Sequence, residues 1–168
     1  HRSGTVSTYE VLIGEVSPEE AMQQSPENEN LWCIPATLDL AGSEIELVNL
    51  FNRERRLRQA ITDEFLEEEG FDYLIIDCPP SLGLLTLNSM TAASEVIIPI
   101  QCEFYALEGV TQLLNNVQMI RQHLNPELHI SAVLLTMYDG RTKLADEVAS
   151  EVRRHFGDAV LRNVIPRS

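Results

Sequence analysis

Asp77 closes a short apolar run, Tyr73-Leu74-Ile75-Ile76, and is followed by Cys78, Pro79, Pro80, Ser81, Leu82 and Gly83. An apolar run of this kind, bounded by Gly70 and a proline pair, reads as a strand covered on both faces in a parallel sheet. A carboxylate at the carboxyl end of such a strand stands in the crevice where open α/β sheets take ligands. Its hard oxygens suit a magnesium ion or the ion's water shell, which is the Walker B arrangement. Pro79 and Pro80 fix their own φ and bias the preceding residues toward extended backbone, and Gly83 then permits close backbone approach. Many α/β strands end in Asp for structural reasons alone, so these few residues leave both readings open.

The elements that must position this stretch alternate along the chain. Helices are predicted over 8–13 and 18–24, the second announced by Ser17 as N-cap with Pro18 in the first helical position. A polar loop over 25–30 leads to a strand at 31–34. A long helix is predicted from about residue 42 to 69, with Leu57, Ile61 and Phe65 spaced four apart and Ser43 with Glu46 at capping-box spacing. Arg53, Arg55, Arg56 and Arg58 read as a solvated face of that helix, Glu54 standing four residues before Arg58. Further helices are predicted over 84–93, 107–124 and 142–156, with strands at 96–100, 130–137 and 160–165. Val110, Leu113, Leu114, Val117 and Ile120 form the apolar stripe of the middle helix, which Asn125-Pro126 ends. Strand, helix, strand, helix in this order indicates βαβ units, hence an α/β fold with a mainly parallel, doubly wound sheet flanked by helices.

Composition sets limits. At 168 residues the chain is the size of one domain. Cys33, Cys78 and Cys102 form no C-x-x-C pair, which argues against a disulfide framework or a zinc site; each is expected to be a small buried side chain in a reducing compartment. No apolar run approaches the roughly 20 residues of a membrane helix, so a soluble, intracellular protein is expected. The formal charge of -14, with Lys143 as the sole lysine, is unlike that of a nucleic-acid binder, so any DNA contact must come from a local patch. His123, His129 and His155 lack ligand spacing, and Ser81 has no G-x-S-x-G frame.

Longer strings narrow the reading. YLIIDCPPSLGLLTLNSMTAA, VIIPIQCEFYALEGVTQLL and LLTMYDGRT closely resemble the ParA/Soj family of chromosome- and plasmid-partitioning ATPases. The resemblance extends to IPATLDLAGSEIELV before them and VIPRS after, covering the chain from Leu31 onward. It implies a P-loop NTPase-like fold, ATP and Mg2+ as cofactors, and Asp77 as the Walker B carboxylate acting on magnesium mainly through water. Pro79, Pro80, Ser81, Leu82 and Gly83 then fall in the segment that senses the γ-phosphate. Thr136, Met137 and Pro166 resemble the family's nucleotide-base pocket, although core and turn roles suit them equally. Arg141, in YDGRT, matches an arginine through which ParA-like dimers touch DNA non-specifically, and Arg167 adds to the same patch. The implied protein is cytoplasmic and nucleoid-associated. It forms a homodimer on ATP, binds DNA without sequence preference, is stimulated by a ParB-like partner and makes no membrane contact.

One expected feature is absent from these residues. Nothing matches G-x-x-x-x-G-K-[ST] or the family's variant with an early lysine, and Lys143 has no glycine-rich surroundings. A P-loop works by wrapping backbone N–H groups around the phosphates, so ATP binding by these residues alone is expected to be very weak. The expectation is therefore a single partial ParA-like domain over 1–168, internal to a longer protein and inactive by itself. Its P-loop, its P-loop strand and a further catalytic aspartate would lie upstream, and a C-terminal segment downstream. Losing the central P-loop strand would leave neighbouring strands with unpaired edges. Two alternatives stand beside it: a non-catalytic scaffold or binding module of the same fold, and a MinD-like ATPase, which requires an amphipathic membrane helix at its far C-terminus.

Overall fold

The computed structural model describes residues 6–79, 81, 83–103 and 108–167, and the chain divides into two compact units, one up to Ala92 and one from Ala93 onward. The first is mostly helical. Helix α1 (Thr8–Ile13) opens on a capping box in which the Glu10 carboxylate accepts the Ser7 N–H at 2.8 Å, and it closes on Gly14 in the left-handed conformation, φ 84°. Helix α2 (Pro18–Ala21) uses Ser17 and Pro18 as their types predict. It stops at Ala21, short of the expected end, because Gln23–Gln24 (β1) pairs antiparallel with Trp32–Cys33 (β2). The strand expected at 31–34 is thus two residues long and belongs to a hairpin.

The long helix expected over 42–69 is broken into pieces. Helix α3 (Leu38–Leu47) starts earlier, after Thr37, and Ser43 lies inside it with its hydroxyl donating to the Leu40 carbonyl at 2.6 Å, so Ser43 is not a helix cap. Asn52 then takes a left-handed φ of 53°, followed by a 3₁₀ turn at Arg53–Arg55 and helix α4 (Arg56–Ala60). Ile61 is extended, and Thr62 restarts the chain as helix α5 (Asp63–Glu69) by accepting the Phe65 N–H at 3.1 Å. Asn at a left-handed position and Thr at an N-cap are both locally favoured, and they outweigh the continuous apolar spacing. Leu57 and Phe65 are nevertheless buried, as that spacing predicts.

The arginine cluster has a different role from a solvated helix face. Arg56 donates from Nε to the Leu12 carbonyl at 2.8 Å and from Nη2 to the Ile13 carbonyl at 2.9 Å, while Arg58 donates to the Thr91 carbonyl at 3.3 Å. Those carbonyls lie in the last turns of α1 and of α6 (Leu84–Ala92), where no intrahelical donor remains and a cation also meets the negative end of the helix dipole. Arg53 pairs with Glu54 and donates to the Val48 carbonyl.

The second unit carries the parallel sheet. Strands β3 (Glu95–Gln101), β4 (His129–Tyr138) and β5 (Val160–Pro166) pair in parallel in the order β3-β4-β5. Helix α7 (Glu108–His123) connects the first two, and α8 (Lys143–Phe156), capped by the Thr142 hydroxyl, connects the last two. The expected first residue of α7, Leu107, lies outside the described residues. Ile98, Ile100, Val133, Leu135 and Val160 from the strands pack with Val110 of α7 and Ala145, Val148 and Val152 of α8 into one core. The architecture is α/β, with a parallel sheet flanked by helices.

Two expectations fail on burial. Residues 73–76 carry no strand pairing, and Tyr73 and Ile75 are 89% and 90% exposed. A strand covered on both sides needs a neighbour to take its N–H and C=O groups, and among the described residues no strand pairs with it. Ile76 alone turns inward, against the Leu12, Leu47 and Leu57 cluster. Of the cysteines, Cys102 is buried, whereas Cys33 and Cys78 are exposed because the segments that carry them lie at the surface.

Candidate functional site

The turn that follows Asp77 hangs on the first turn of α6. Asp77, Cys78, Pro79 and Ser81 are all exposed; Pro80 and Leu82 lie outside the described residues. Thr86 of α6 is buried and donates from its hydroxyl to the Ser81 carbonyl at 2.6 Å and toward the Pro79 carbonyl at 3.5 Å. Gly83 precedes the helix and is half-buried beneath the Glu44 carboxylate, which accepts the Leu85 N–H at 3.3 Å. Further along α6, Asn88 is buried. Its amide donates to the carbonyls of Arg53 at 2.7 Å and Leu84 at 2.9 Å, and its oxygen accepts the Leu57 N–H at 3.2 Å. That bridge fixes α6, and with it the turn, to the 53–57 segment.

Asp77 makes no hydrogen bond or ion pair among the described residues, and its carboxylate is open to solvent. A single free carboxylate with room for water suits magnesium, which keeps several waters and takes only one or two protein carboxylates. Among the described residues no group of three or more His, Cys, Asp or Glu side chains converges as an all-protein metal cage would require.

The remaining predicted residues meet in the second unit, at the carboxyl end of the parallel sheet. Gln101 and Thr136 are register partners, and the Cys102 N–H donates to the Thr136 carbonyl at 2.9 Å. Met137 takes a left-handed φ of 53°, sparsely populated for a side chain of this kind, within the register shift of the β4–β5 ladder between Leu135 and Tyr138. Tyr138 is the register partner of Pro166, and its carbonyl accepts the Arg167 N–H at 3.0 Å. Thr136, Met137 and Pro166 are therefore assembled side by side where parallel sheets hold ligands.

Both candidate arginines are engaged with acids. Arg141 forms a two-point fork with Asp139, Nε to Oδ1 at 2.9 Å and Nη2 to Oδ2 at 2.8 Å, while Arg167 pairs with Glu103 at 3.0 Å. The Arg141 guanidinium pulls the Asp139 carboxyl down to about 2. Tyr138 donates its hydroxyl to Asp146, and that bond pushes the phenol above its ordinary value.

Comparison with known proteins places this geometry in a family. A family model described as an AAA domain matches residues 2–130. The sporulation initiation inhibitor protein Soj of Bacillus subtilis is 49% identical over 160 residues, and the chromosome partitioning protein ParA of Caulobacter vibrioides is 50% identical over 161. The chain belongs to the ParA/Soj family. It aligns over 95% of its own length with both relatives but spans only 62% of that Soj and 59% of that ParA. A Mycobacterium smegmatis structure described as cobyrinic acid a,c-diamide synthase with bound ADP and magnesium superposes with a TM-score of 0.84 at 41% identity, covering 97% of this chain and 64% of that one. A plasmid partition protein from Borrelia burgdorferi, at 22% identity and a TM-score of 0.75, shares the fold, with 98% of this chain and 65% of that one covered.

Within this ParA/Soj frame, three contributors escape sequence reading. Glu44, Thr86 and Asn88 serve the turn, yet Glu44 stands 41 positions from the Leu85 N–H that it receives. A signal for it does exist. Gly83 sits where α6 needs a capping side chain and has none, so an acceptor must arrive from elsewhere.

Proposed function

We propose that this chain is the metal-side part of a ParA/Soj-type ATPase that segregates chromosomes or plasmids. The observation that carries the reading is Asp77. Its free, solvent-facing carboxylate stands at the head of a turn that α6 anchors, in a chain of the ParA/Soj family. Asp77 would hold magnesium largely through water, and the ion would supply charge neutralisation for phosphoryl transfer to water. The turn residues Pro79, Pro80, Ser81 and Gly83 would follow the γ-phosphate, and Thr136, Met137 and Pro166 would line the base pocket. The sequence offers no Walker A loop, so the grip on the triphosphate belongs to residues outside these 168.

In the working protein, ATP closes a homodimer, and Arg141 and Arg167 touch DNA phosphates without reading sequence. A ParB-like partner stimulates hydrolysis and releases the DNA, and the protein works in the cytoplasm on the nucleoid. Among the described residues no helix is long and apolar enough to cross a membrane. The amide-synthase description of the Mycobacterium structure names a different reaction, and the higher identity to Soj and ParA favours partitioning.

Equilibrium binding of a fluorescent ATP analogue with and without magnesium tests the reading. The complete protein is expected to bind in a magnesium-dependent way, Asp77→Asn is expected to abolish that dependence, and the 168-residue chain is expected to bind at least a hundredfold more weakly, since about 3 kcal/mol of backbone–phosphate contact is absent. Tight magnesium-dependent binding by the 168-residue chain, or an unchanged Asp77→Asn protein, would sink it.

A further inference from the structure

We propose that Glu44 is the positioning residue for the turn at 77–83, acting through Gly83 and the amino end of α6. The proposal rests on the ATPase reading above. Its footing is geometric. Helix α6 begins at Leu84, and the residue before it has no side chain with which to cap the free N–H groups of the first turn. The cap comes instead from α3, where Glu44 Oε1 accepts the Leu85 N–H at 3.3 Å. A carboxylate there also meets the positive end of the helix dipole.

The same carboxylate lies directly on Gly83. A Cβ built at Gly83 would stand 2.2 Å from Glu44 Oε1, 3.0 Å from its Cδ and 3.1 Å from Oε2. Real Cβ atoms do not approach so closely. Glycine at 83 therefore leaves the room that the end of the Glu44 side chain occupies. Any larger residue must evict Glu44.

Glu44 in turn stands on a fixed base. Leu47, one turn later in α3, is fully buried, and the Tyr9 hydroxyl of α1 donates to Glu46 at 2.7 Å. On the other side, Thr86 ties the Ser81 carbonyl to the first turn of α6. The polar path therefore runs from α3 through Glu44 to the end of α6, and from Thr86 into the turn. Withdrawing Glu44 leaves the turn joined to α6 and keeps Leu84 and Leu85 packed against the Leu12, Leu47 and Leu57 cluster, but removes the hydrogen bond that fixes that end of α6 to α3.

Because the turn faces the γ-phosphate in the ATPase reading, loosening it weakens triphosphate binding more than diphosphate binding. The test measures dissociation constants of a fluorescent non-hydrolysable ATP analogue and of the matching ADP analogue, with magnesium, on the complete protein. Glu44→Ala is expected to lower the preference for triphosphate about fivefold, the size of one helix cap. Glu44→Gln is expected to stay within about twofold of the unaltered protein, because its amide oxygen still accepts the Leu85 N–H. Gly83→Ala should match Glu44→Ala, and the double variant should be no worse than either single one, since both break one contact. An unchanged preference in Glu44→Ala, or equal losses in Glu44→Ala and Glu44→Gln that track a fall in melting temperature, would overturn the assignment while leaving the ATPase reading intact. Absence of magnesium-dependent nucleotide binding by the unaltered protein would overturn that reading and this one together.

Discussion

Arg141 and Asp139 face each other in a two-point fork, and the Arg141 backbone N–H adds a third bond to Asp139 Oδ1 at 3.0 Å. The carboxylate thus occupies the geometry that a phosphate would take on the same guanidinium. Three donors hold the charged form of Asp139, which brings its pKa to about 2. The sign follows from linkage: a carboxyl whose folded value lies below its unfolded value contributes stability above about pH 4, and that contribution is lost as pH falls toward 2. A carboxyl-carbon NMR titration is expected to place the Asp139 midpoint near 2. In Arg141→Ala the midpoint is expected to rise toward the ordinary aspartate range without reaching it, because the backbone N–H of residue 141 still donates to Asp139 and Arg167 remains nearby. A midpoint near 4 in the unaltered protein would show that the fork does not persist in solution.

Asn88 is the buried polar hub of the first unit, with three partners from two segments of chain. Replacing it with alanine strips the Leu57 N–H and the Arg53 carbonyl of their partner. Leaving buried groups unpaired costs about 1–3 kcal/mol each, so Asn88→Ala is expected to destabilise by about 2–4 kcal/mol. Asn88→Asp keeps an acceptor for Leu57 but sets a carboxylate against the Arg53 carbonyl, and should fare no better. Urea unfolding with an unchanged slope is the measurement. A loss below about 0.5 kcal/mol, the range of ordinary surface substitutions, would remove Asn88 from this role.

Tyr73 and Ile75 display a β-rich apolar segment to solvent with no strand paired to it among the described residues, a pattern that invites strand-to-strand association. The 168-residue chain is therefore expected to self-associate at micromolar concentration. Ile75→Lys should raise the monomer fraction in sedimentation velocity while changing stability by less than about 0.5 kcal/mol, as befits an exposed position. A sharp cooperative melt of monomeric, unaltered chain would contradict the first expectation. A loss above about 2 kcal/mol in Ile75→Lys would mean that Ile75 is buried in solution.

Local signals served well where one short stretch contains all its own partners. Ser17-Pro18 starts a helix within three residues of itself, and the apolar runs at β3, β4 and β5 become strands because two connecting helices return each strand in parallel beside its neighbour. They served poorly where the partner is remote. Continuous four-residue spacing at Leu57, Ile61 and Phe65 suggested one helix, yet Asn52 and Thr62 interrupt the chain by backbone preferences that periodicity does not register. Arg56 and Arg58 resemble surface charges until α1 and α6 bring their terminal carbonyls within reach.

By itself the sequence determined the α/β class and the chain's family, because residue type and order suffice for these, and it singled out Asp77 and the residues after it as the candidate site. Tertiary structure decided what holds that turn and which charges are free. Glu44 reaches Leu85 across 41 positions, Asn88 joins Arg53 and Leu57 to α6, and Glu103 meets Arg167 across 64. Hydrogen bonds and ion pairs act only over a few ångströms, so their partners are fixed by where the folded backbone sets each side chain, which spacing along the chain does not encode.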